Sequence, residues 1–428
     1  MKTAEASVAS SKSGSGSPDG TKGAEVESTA DGRGGTADRN MSIANWQYHN
    51  PVKVVSAPGA IGEIGVHVPY ERVALVTSAG FTRRGIVARI QEALGSHLVA
   101  VLDDVKPNPD LRDIDAQSAR LRELRPDALL ALGGGSSMDT AKALARSLTQ
   151  PESFTLTAHF RDAQPLAPAA ALPVVTVPTT SGTGAEVTPF GTVWDFEKKR
   201  KYSVTGEDLY SAVAILDPEL TLGLPEETTI SSGLDAVSHA LESAWNRNAS
   251  PITLALVAKS LQLSLPALPR LKTQPGDVTA RSAMQQASLL AGLAISQTRT
   301  ALAHSISYPL TTAFELPHGI ACSFTLPVLL NFNAGADDGR LQDLARACGH
   351  ASIAGLEQGL KEMFMHLRVG AIFARYVGAD REVLALTGEM FTPGRADNNL
   401  RAASREDVAG IVQASLELMR ESGAAEKK

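Results

Sequence analysis

Between residues 52 and 178 short β-branched apolar runs alternate with longer stretches of helical period. Residues 73–77, Val-Ala-Leu-Val-Thr, read as a strand, and residues 83–94 as a helix. A strand at 98–101 and a helix at 111–124 follow, then a strand at 128–132, a helix at 137–148 and a strand at 172–177. Strands separated by helices of this length predict βαβ units and a mostly parallel sheet. From about Glu226 onward the pattern changes to long Ala/Leu/Ser-rich segments of helical period, such as residues 253–265 and 280–295. This predicts an α/β domain over residues 46–225 and an all-helical domain over residues 226–428. No internal repeat is visible. Residues 1–45, dominated by Ser, Gly, Thr, Ala and alternating charges, bury too little apolar surface to offset their ordering entropy and read as a disordered tail. Met41 serves equally well as a start.

Composition narrows the class. A hydrophobic content of 43% and a charged content of 20% match soluble globular chains, and 428 residues suffice for two or three domains. The formal net charge of −6 leaves no electrostatic footprint for nucleic acid. No uninterrupted run of 18 apolar residues exists, which argues against a membrane span. Two cysteines, Cys322 and Cys348, cannot build a disulfide framework, and their scarcity fits a reducing, cytoplasmic compartment.

The candidate chemistry lies in four segments. Asp235 and His239 sit four apart in a helical stretch and so share a face. His304 and His318 bring two more imidazoles to the same point if the chain folds back, and three His with one Asp make a competent site for a divalent metal. Upstream, Gly133-Gly134-Gly135-Ser136-Ser137 joins a strand to a helix. Its glycines let the backbone approach a ligand, and the helix N-terminus presents free N–H groups to a phosphate. A tight turn accounts for the glycines as well. Residues 177–187 follow another strand and are dense in Thr, Ser and Gly, so two such loops can cradle a pyrophosphate between them; a polar surface loop is the plainer reading. Pro107-Asn108-Pro109 supplies either a third wall or a simple turn.

Taken in order, Gly133-Gly134-Gly135-Ser136-x-x-Asp139, Pro178-Thr179-Thr180-Ser181-Gly182-Thr183-Gly184-x-Glu186-Val187, Gly233-Leu234-Asp235-Ala236-x-x-His239-Ala240-x-Glu242 and Pro317-His318-Gly319 resemble the iron-containing, or group III, alcohol dehydrogenases. The resemblance runs from about Tyr48 to the C-terminus. It implies a dehydroquinate synthase-like fold, with a Rossmann-like N-terminal domain, a helical C-terminal domain, and cofactor and metal in the cleft between them. It implies metal ligation by Asp235, His239, His304 and His318, and cofactor contacts from Asn108, Gly134, Gly135, Ser136, Asp139, Thr179, Thr180 and Thr183. Lys201 falls where the family places a lysine near the cofactor ribose; membership of a solvated charge run is its alternative. The N₃O ligand set suits Fe(II) and Zn(II) alike, and the family favours iron. The family commonly dimerises, so a homodimer is expected.

Two departures qualify the resemblance. The family often carries a second His four residues after the third ligand, and here Tyr308 takes that place, as a packing aromatic or as a hydrogen-bond or proton donor. NAD-preferring members carry an Asp at the end of the first strand to bind the ribose; Ser78 replaces it, and a serine does not repel a 2′-phosphate, so use of both NADH and NADPH is expected. Arg299 and Thr300 precede His304 and are the candidate substrate contacts. Thr300 is one helical turn from His304, whereas Arg299 needs a bend to point inward. The run from Thr298 to Leu310 resembles the phosphonate-associated branch of the family, which reduces phosphonoacetaldehyde to 2-hydroxyethylphosphonate. The expected activity is thus NAD(P)H-linked reduction of a small aldehyde, with an arginine suited to an anionic tail. A general short-chain alcohol dehydrogenase or lactaldehyde-type reductase is the alternative. A dehydroquinate synthase-like lyase needs bases and a phosphate clamp that are not evident, and four intact ligands argue against an inactive binding paralogue.

Overall fold

The apolar runs in the first half become strands, those at Val73–Val76, Ala128–Gly133 and Val174–Pro178 buried throughout. The computed structural model describes residues 45–198 and 200–423, so the tail expected over residues 1–45 lies, apart from Asn45, outside the described residues. Strands β1 (Lys53–Ser56), β2 (Val73–Val76), β3 (Leu98–Leu102), β4 (Ala128–Gly133), β5 (Val174–Pro178) and, further on, β8 (Val213–Leu216) form one parallel sheet in the order β1-β8-β5-β4-β2-β3. Alternate side chains of each strand point to opposite faces, and this sorts them into two cores. Val73, Leu75, Leu130 and Leu132 enter one, while Ala74, Val76, Leu129 and Ala131 enter the other. Helices α1 (Ile64–His67), α2 (Ala79–Arg83), α3 (Ile86–Leu94), α4 (Leu111–Leu124), α5 (Gly135–Leu148) and α6 (Leu156–Asp162) accompany the strands. The helix expected over 83–94 is split, because Gly85 adopts a left-handed φ of 78° between α2 and α3. β6 (Phe190–Asp195) and β7 (Arg200–Thr205) pair antiparallel as a separate hairpin. This hairpin, β1 and β8 were not read in the sequence.

After β8 the chain is helical. Helix α7 (Glu226–Ala244) is followed by α8 (Pro251–Thr273), α9 (Val278–Thr298), α10 (Leu302–Phe314) and α11 (His318–Ser323), and shorter helices lead to a final one at Arg405–Gly423. Together they enclose the third core, which includes Leu234, Val237, Leu261, Leu302, Ile320 and Leu416. From Trp46 onward the described residues form one compact unit. Helix α8 starts from a capping box in which the Ser250 and Thr253 side chains each bond the other's backbone N–H, with Pro251 at the first helical position. By length and composition α8 is apolar enough to cross a membrane, with a mean hydropathy of 1.3 in one window. Its Val257, Leu261, Leu268 and Leu271 are instead buried in the helical core, which accounts for the composition. Helix α11 comes very close to α7. A Cβ on Gly319 would collide with the Ser231 carbonyl, so only glycine lets the two helices approach this way.

Candidate active site

The close approach of α11 to α7 brings together ligating side chains from three helices. Asp235 and His239 lie one turn apart on α7, His304 lies in the first turn of α10, and His318 opens α11. Asp235 Oδ1 is 3.7 Å from His239 Nε2 and 3.6 Å from His304 Nε2. The His304 ring centre is 4.7 Å from that of His239 and 5.3 Å from that of His318. Donors about 2.0–2.2 Å from a common ion are roughly 3–4 Å apart, so these spacings fit a single metal. Burial opposes the Asp235 charge, but the three imidazoles more than offset it and hold its carboxyl well below the usual range.

The surrounding groups orient the donors. The His239 Nδ1 faces the Gly182 carbonyl at 3.2 Å, which directs Nε2 toward Asp235 with its lone pair free. Glu242, buried in the same helix, binds His304 twice, at Nδ1 and at the backbone N–H (3.1 Å). Burial alone would lower the His304 pKa; Glu242 and then Asp235 raise it above the ordinary value. With Nδ1 committed to Glu242, Nε2 of His304 is buried with no hydrogen-bond partner. An orphaned imidazole nitrogen aimed at a carboxylate is what a metal-binding pocket looks like without its ion. Glu242 stands in the motif read from the sequence but was not assigned a role there.

Cys322 was also missed. Its Sγ–H donates to Asp235 Oδ1 at 3.3 Å, and ligand atoms of Asp235, His304, His318 and Cys322 lie within 4.8 Å of one another. The donor chemistry nonetheless favours His239 as the fourth ligand. Burial, followed by the Asp235 charge, pushes the Cys322 thiol up and keeps its proton on sulfur, whereas His239 offers a neutral lone pair. The signal for Cys322 was its position one helical turn after His318.

The second half of the site is made of backbone. Helix α5 begins at Gly135 with no side chain capping its N-terminus, so its first N–H groups are available to an acceptor. A Cβ on Gly134 would lie 3.1 Å from Thr180 Oγ1, and one on Gly135 would lie 2.8 Å from Thr183 Cγ2. The two glycines thus keep open a cradle whose opposite wall is the threonine loop, a shape that fits a dinucleotide pyrophosphate. Thr179 N–H is bonded to the Gly133 carbonyl at 2.9 Å, and Asn108 N–H donates to Ser136 Oγ at 3.2 Å. Lys142 fastens the loops together from beneath. Its buried Nζ donates to the carbonyls of Ala185 (2.5 Å), Thr188 (2.6 Å) and Phe190 (3.1 Å). Burial lowers the Lys142 pKa to about 8 and raises that of its neighbour Glu186 to about 7.

Both halves open into one cleft of about 1210 Å³, larger than a pocket for one small ligand and suited to a dinucleotide beside a small second molecule. Asn108, Gly135, Ser136, Asp139, Thr183 and Lys201 line it on the α/β side. Asp235, His239, Thr300, His304, Tyr308 and His318 line it on the helical side. Gly134, Thr179 and Thr180 are not among the lining residues, nor is Ser78, which follows β2 and is bridged to Asp104. Lys201 Nζ lies 4.3 Å from the Tyr308 ring centre and 5.3 Å from that of Trp194. Burial would raise the Tyr308 pKa; the charges of Lys201, Arg395 and His304 bring it below the usual tyrosine value.

Arg299 departs from the sequence reading. The helical geometry assumed around it is broken: α9 ends at Thr298, and Arg299 takes φ 65° and ψ 175°, outside the helical region. Asn246 Nδ2 and Thr298 Oγ1 hold its carbonyl in that turn. Its guanidinium lies 4.5 Å from the Phe190 ring, and Phe190, not Arg299, lines the cleft. The arginine on the cleft surface is Arg395, which no sequence motif marked. A smaller cavity of about 400 Å³ beside Leu224, Pro225 and Leu271 gathers no metal-ligating cluster among the described residues.

Residues 51–218 match the iron-containing alcohol dehydrogenase family model, and residues 229–416 match the model of the C-terminal region of the same family. A phosphonoacetaldehyde reductase of Streptomyces viridochromogenes is 33% identical over 358 residues, covering 80% of this chain and 89% of that protein. A sulfoacetaldehyde reductase of Bilophila wadsworthia is 31% identical over 387 residues, covering 86% and 99%. Among solved structures, a sulfoacetaldehyde reductase of Bifidobacterium kashiwanohense in complex with NAD+ superimposes with a TM-score of 0.81 at 28% identity, covering 87% of this chain and 99% of that one.

Proposed function

We propose that this chain, which belongs to the iron-containing alcohol dehydrogenase family and is an alcohol dehydrogenase/aldehyde reductase by class, reduces a short aldehyde with an anionic tail, phosphonoacetaldehyde being the best candidate. The product is then 2-hydroxyethylphosphonate, and the balanced reaction consumes one NAD(P)H and one proton per aldehyde. The observation that carries the reading is one cleft holding the Asp235/His239/His304/His318 cluster, the glycine–threonine cradle and two cations, Lys201 and Arg395. The phosphonoacetaldehyde and sulfoacetaldehyde reductases among its relatives support the anionic substrate.

In this reading Asp235, His239, His304 and His318 hold the metal, iron by family, and Glu242 keeps His304 in the tautomer that ligates through Nε2. A metal bound there supplies Lewis-acid polarisation of the substrate carbonyl. The nicotinamide supplies the hydride. The α5 N-terminus and the loop at Thr179–Thr183 hold the pyrophosphate, with Lys142 fixing their separation. Asn108, Ser136 and Asp139 flank the cofactor, and Lys201 stands beside its ribose. Thr300 lines the substrate end. Tyr308 Oη donates its proton to the oxygen that gains charge during reduction, and the nearby Lys201 makes that phenol a better acid than a free tyrosine. Ser78 leaves the ribose 2′ position without a repelling carboxylate, so both NADH and NADPH serve.

The test is steady-state reduction of phosphonoacetaldehyde and of propanal with each cofactor. The expected result is a clearly higher kcat/KM for phosphonoacetaldehyde. Equal efficiencies for the two aldehydes would remove the anionic substrate and leave a general alcohol dehydrogenase.

A further inference from the structure

Several arginines among the described residues are matched by a carboxylate. Arg146 meets Asp208, Arg161 meets Asp195 and Glu197, and Arg340 meets Asp338. Arg395 is different. It lies on the cleft surface with the metal cluster and Tyr308, and among the described residues its guanidinium has neither an ion pair nor a hydrogen bond. Glu389 lines the same cleft but does not pair with it. The charge of Arg395 is felt by another cation, Arg299, whose pKa is lowered by burial and then by Arg395. Two guanidiniums near each other, neither of them in an ion pair among the described residues, leave a positive potential that an anionic ligand would neutralise.

The loop that carries Arg395 is tied to the metal cluster. Ser305, next to His304, donates through Oγ to the Met390 carbonyl at 2.7 Å and accepts from Thr392 N–H at 2.7 Å. Asn398 Nδ2 donates to the carbonyls of Thr300 (2.9 Å) and Gly394 (3.2 Å), and Asp397 Oδ2 accepts from Gly394 N–H at 3.0 Å. The backbone on both sides of Arg395 is therefore fixed relative to His304 and Thr300. A guanidinium presents a planar fork that matches a tetrahedral oxyanion through two parallel N–H donors, and here the backbone that carries it is fixed beforehand.

We propose that Arg395 is the specificity-determining residue of the site, binding the phosphonate or sulfonate of a two-carbon aldehyde while the carbonyl end faces Asp235, His239, His304 and His318. This rests on the anionic-aldehyde reading above and assigns its tail to one side chain. It also gives Arg299 a lesser role, as a second charge behind Phe190.

The experiment compares wild type with Arg395→Gln, Arg395→Lys and Arg299→Gln on phosphonoacetaldehyde, sulfoacetaldehyde and propanal, with thermal melts to establish folding. Losing a charge-assisted contact predicts a roughly 10- to 100-fold lower kcat/KM for Arg395→Gln on both anionic aldehydes, expressed mainly in KM. Propanal, which lacks the anion, should lose far less than the anionic aldehydes, and in kcat and not in KM because Arg395 also acts on Tyr308; Arg395→Lys should recover part of the loss because a point charge replaces the fork. A matching loss on propanal, or a raised KM for NAD(P)H with propanal, would overturn the proposal by assigning Arg395 to the reaction centre or the cofactor. A larger loss in Arg299→Gln than in Arg395→Gln would overturn it too. If wild type prefers anionic aldehydes and Arg395→Gln keeps that preference, the Arg395 assignment falls and the substrate reading stands. If wild type shows no such preference, both fall.

Discussion

The candidate cofactor cradle and the candidate metal cluster face the same cleft but are built in opposite ways. The cradle is backbone: bare N–H groups at the start of α5, two glycines kept clear of Thr180 and Thr183, and a loop pinned from below by Lys142. The cluster is side chains: four donors from three helices, three of them buried and His318 half-buried, with Glu242 orienting His304 and Gly182 orienting His239. A backbone site fails when volume is added. A side-chain site fails when a charge or a lone pair is removed, because a buried, unpaired ionisable group is costly.

Substitutions that separate the two halves test that contrast. The largest effect is expected from Gly319→Ala, where the new methyl meets the Ser231 carbonyl and pushes α11, with His318, away from α7. Metal content of the purified variant should fall to background and turnover with it; full metal occupancy would show that the helix approach is not needed. Glu242→Gln keeps the shape but removes the charge that orients His304. It should weaken metal binding by about 10- to 100-fold while NADH binding, followed by fluorescence, stays as in wild type. Gly135→Ala should do the reverse, because its Cβ would press on Thr183 at 2.8 Å. We expect KM for NAD(P)H to rise about tenfold, the equivalent of roughly 1.4 kcal/mol, with metal content unchanged.

The smallest effect lies at the hairpin that walls the cleft. A hydrogen bond from Arg161 brings the carboxyl of the buried Asp195 down to about 2. A depressed carboxylate pKa gives stability that is present above the unfolded value near 3.9 and is lost as pH falls through about 2. Arg161→Ala should therefore melt below wild type at pH 5, and the gap should close as the pH approaches 2. A gap independent of pH would mean that Arg161 contributes packing and not charge.

The same contrast explains what could be read from the sequence. The cradle lies in short continuous stretches at strand ends, so residues 133–139 and 178–187 marked it directly. Helix α4 was read at Leu111–Leu124, and β2 to β5 were found within two residues of their ends, because each combines a clear period with a turn signal. Four-residue β1 and β8 are too short to show a period, and the β6–β7 hairpin passed unread although β6 alternates buried and partly exposed positions. The candidate ligands were visible as motifs, but the residues packed around them were not. Cys322 and Glu242 matter only through α7, α10 and α11 being packed together. Arg299 was placed by an ideal helix that the left-handed turn at that residue interrupts, while Arg395, far along the chain, reaches the cleft through a loop without a motif.

The most direct test of the account is metal analysis of wild type and His304→Ala, each purified identically and assayed for NAD(P)H-dependent aldehyde reduction. The account predicts about one iron or zinc per chain in wild type, and neither bound metal nor turnover in His304→Ala despite a wild-type melting profile in the α/β region and intact NADH binding. Normal turnover by a metal-free His304→Ala protein would contradict it.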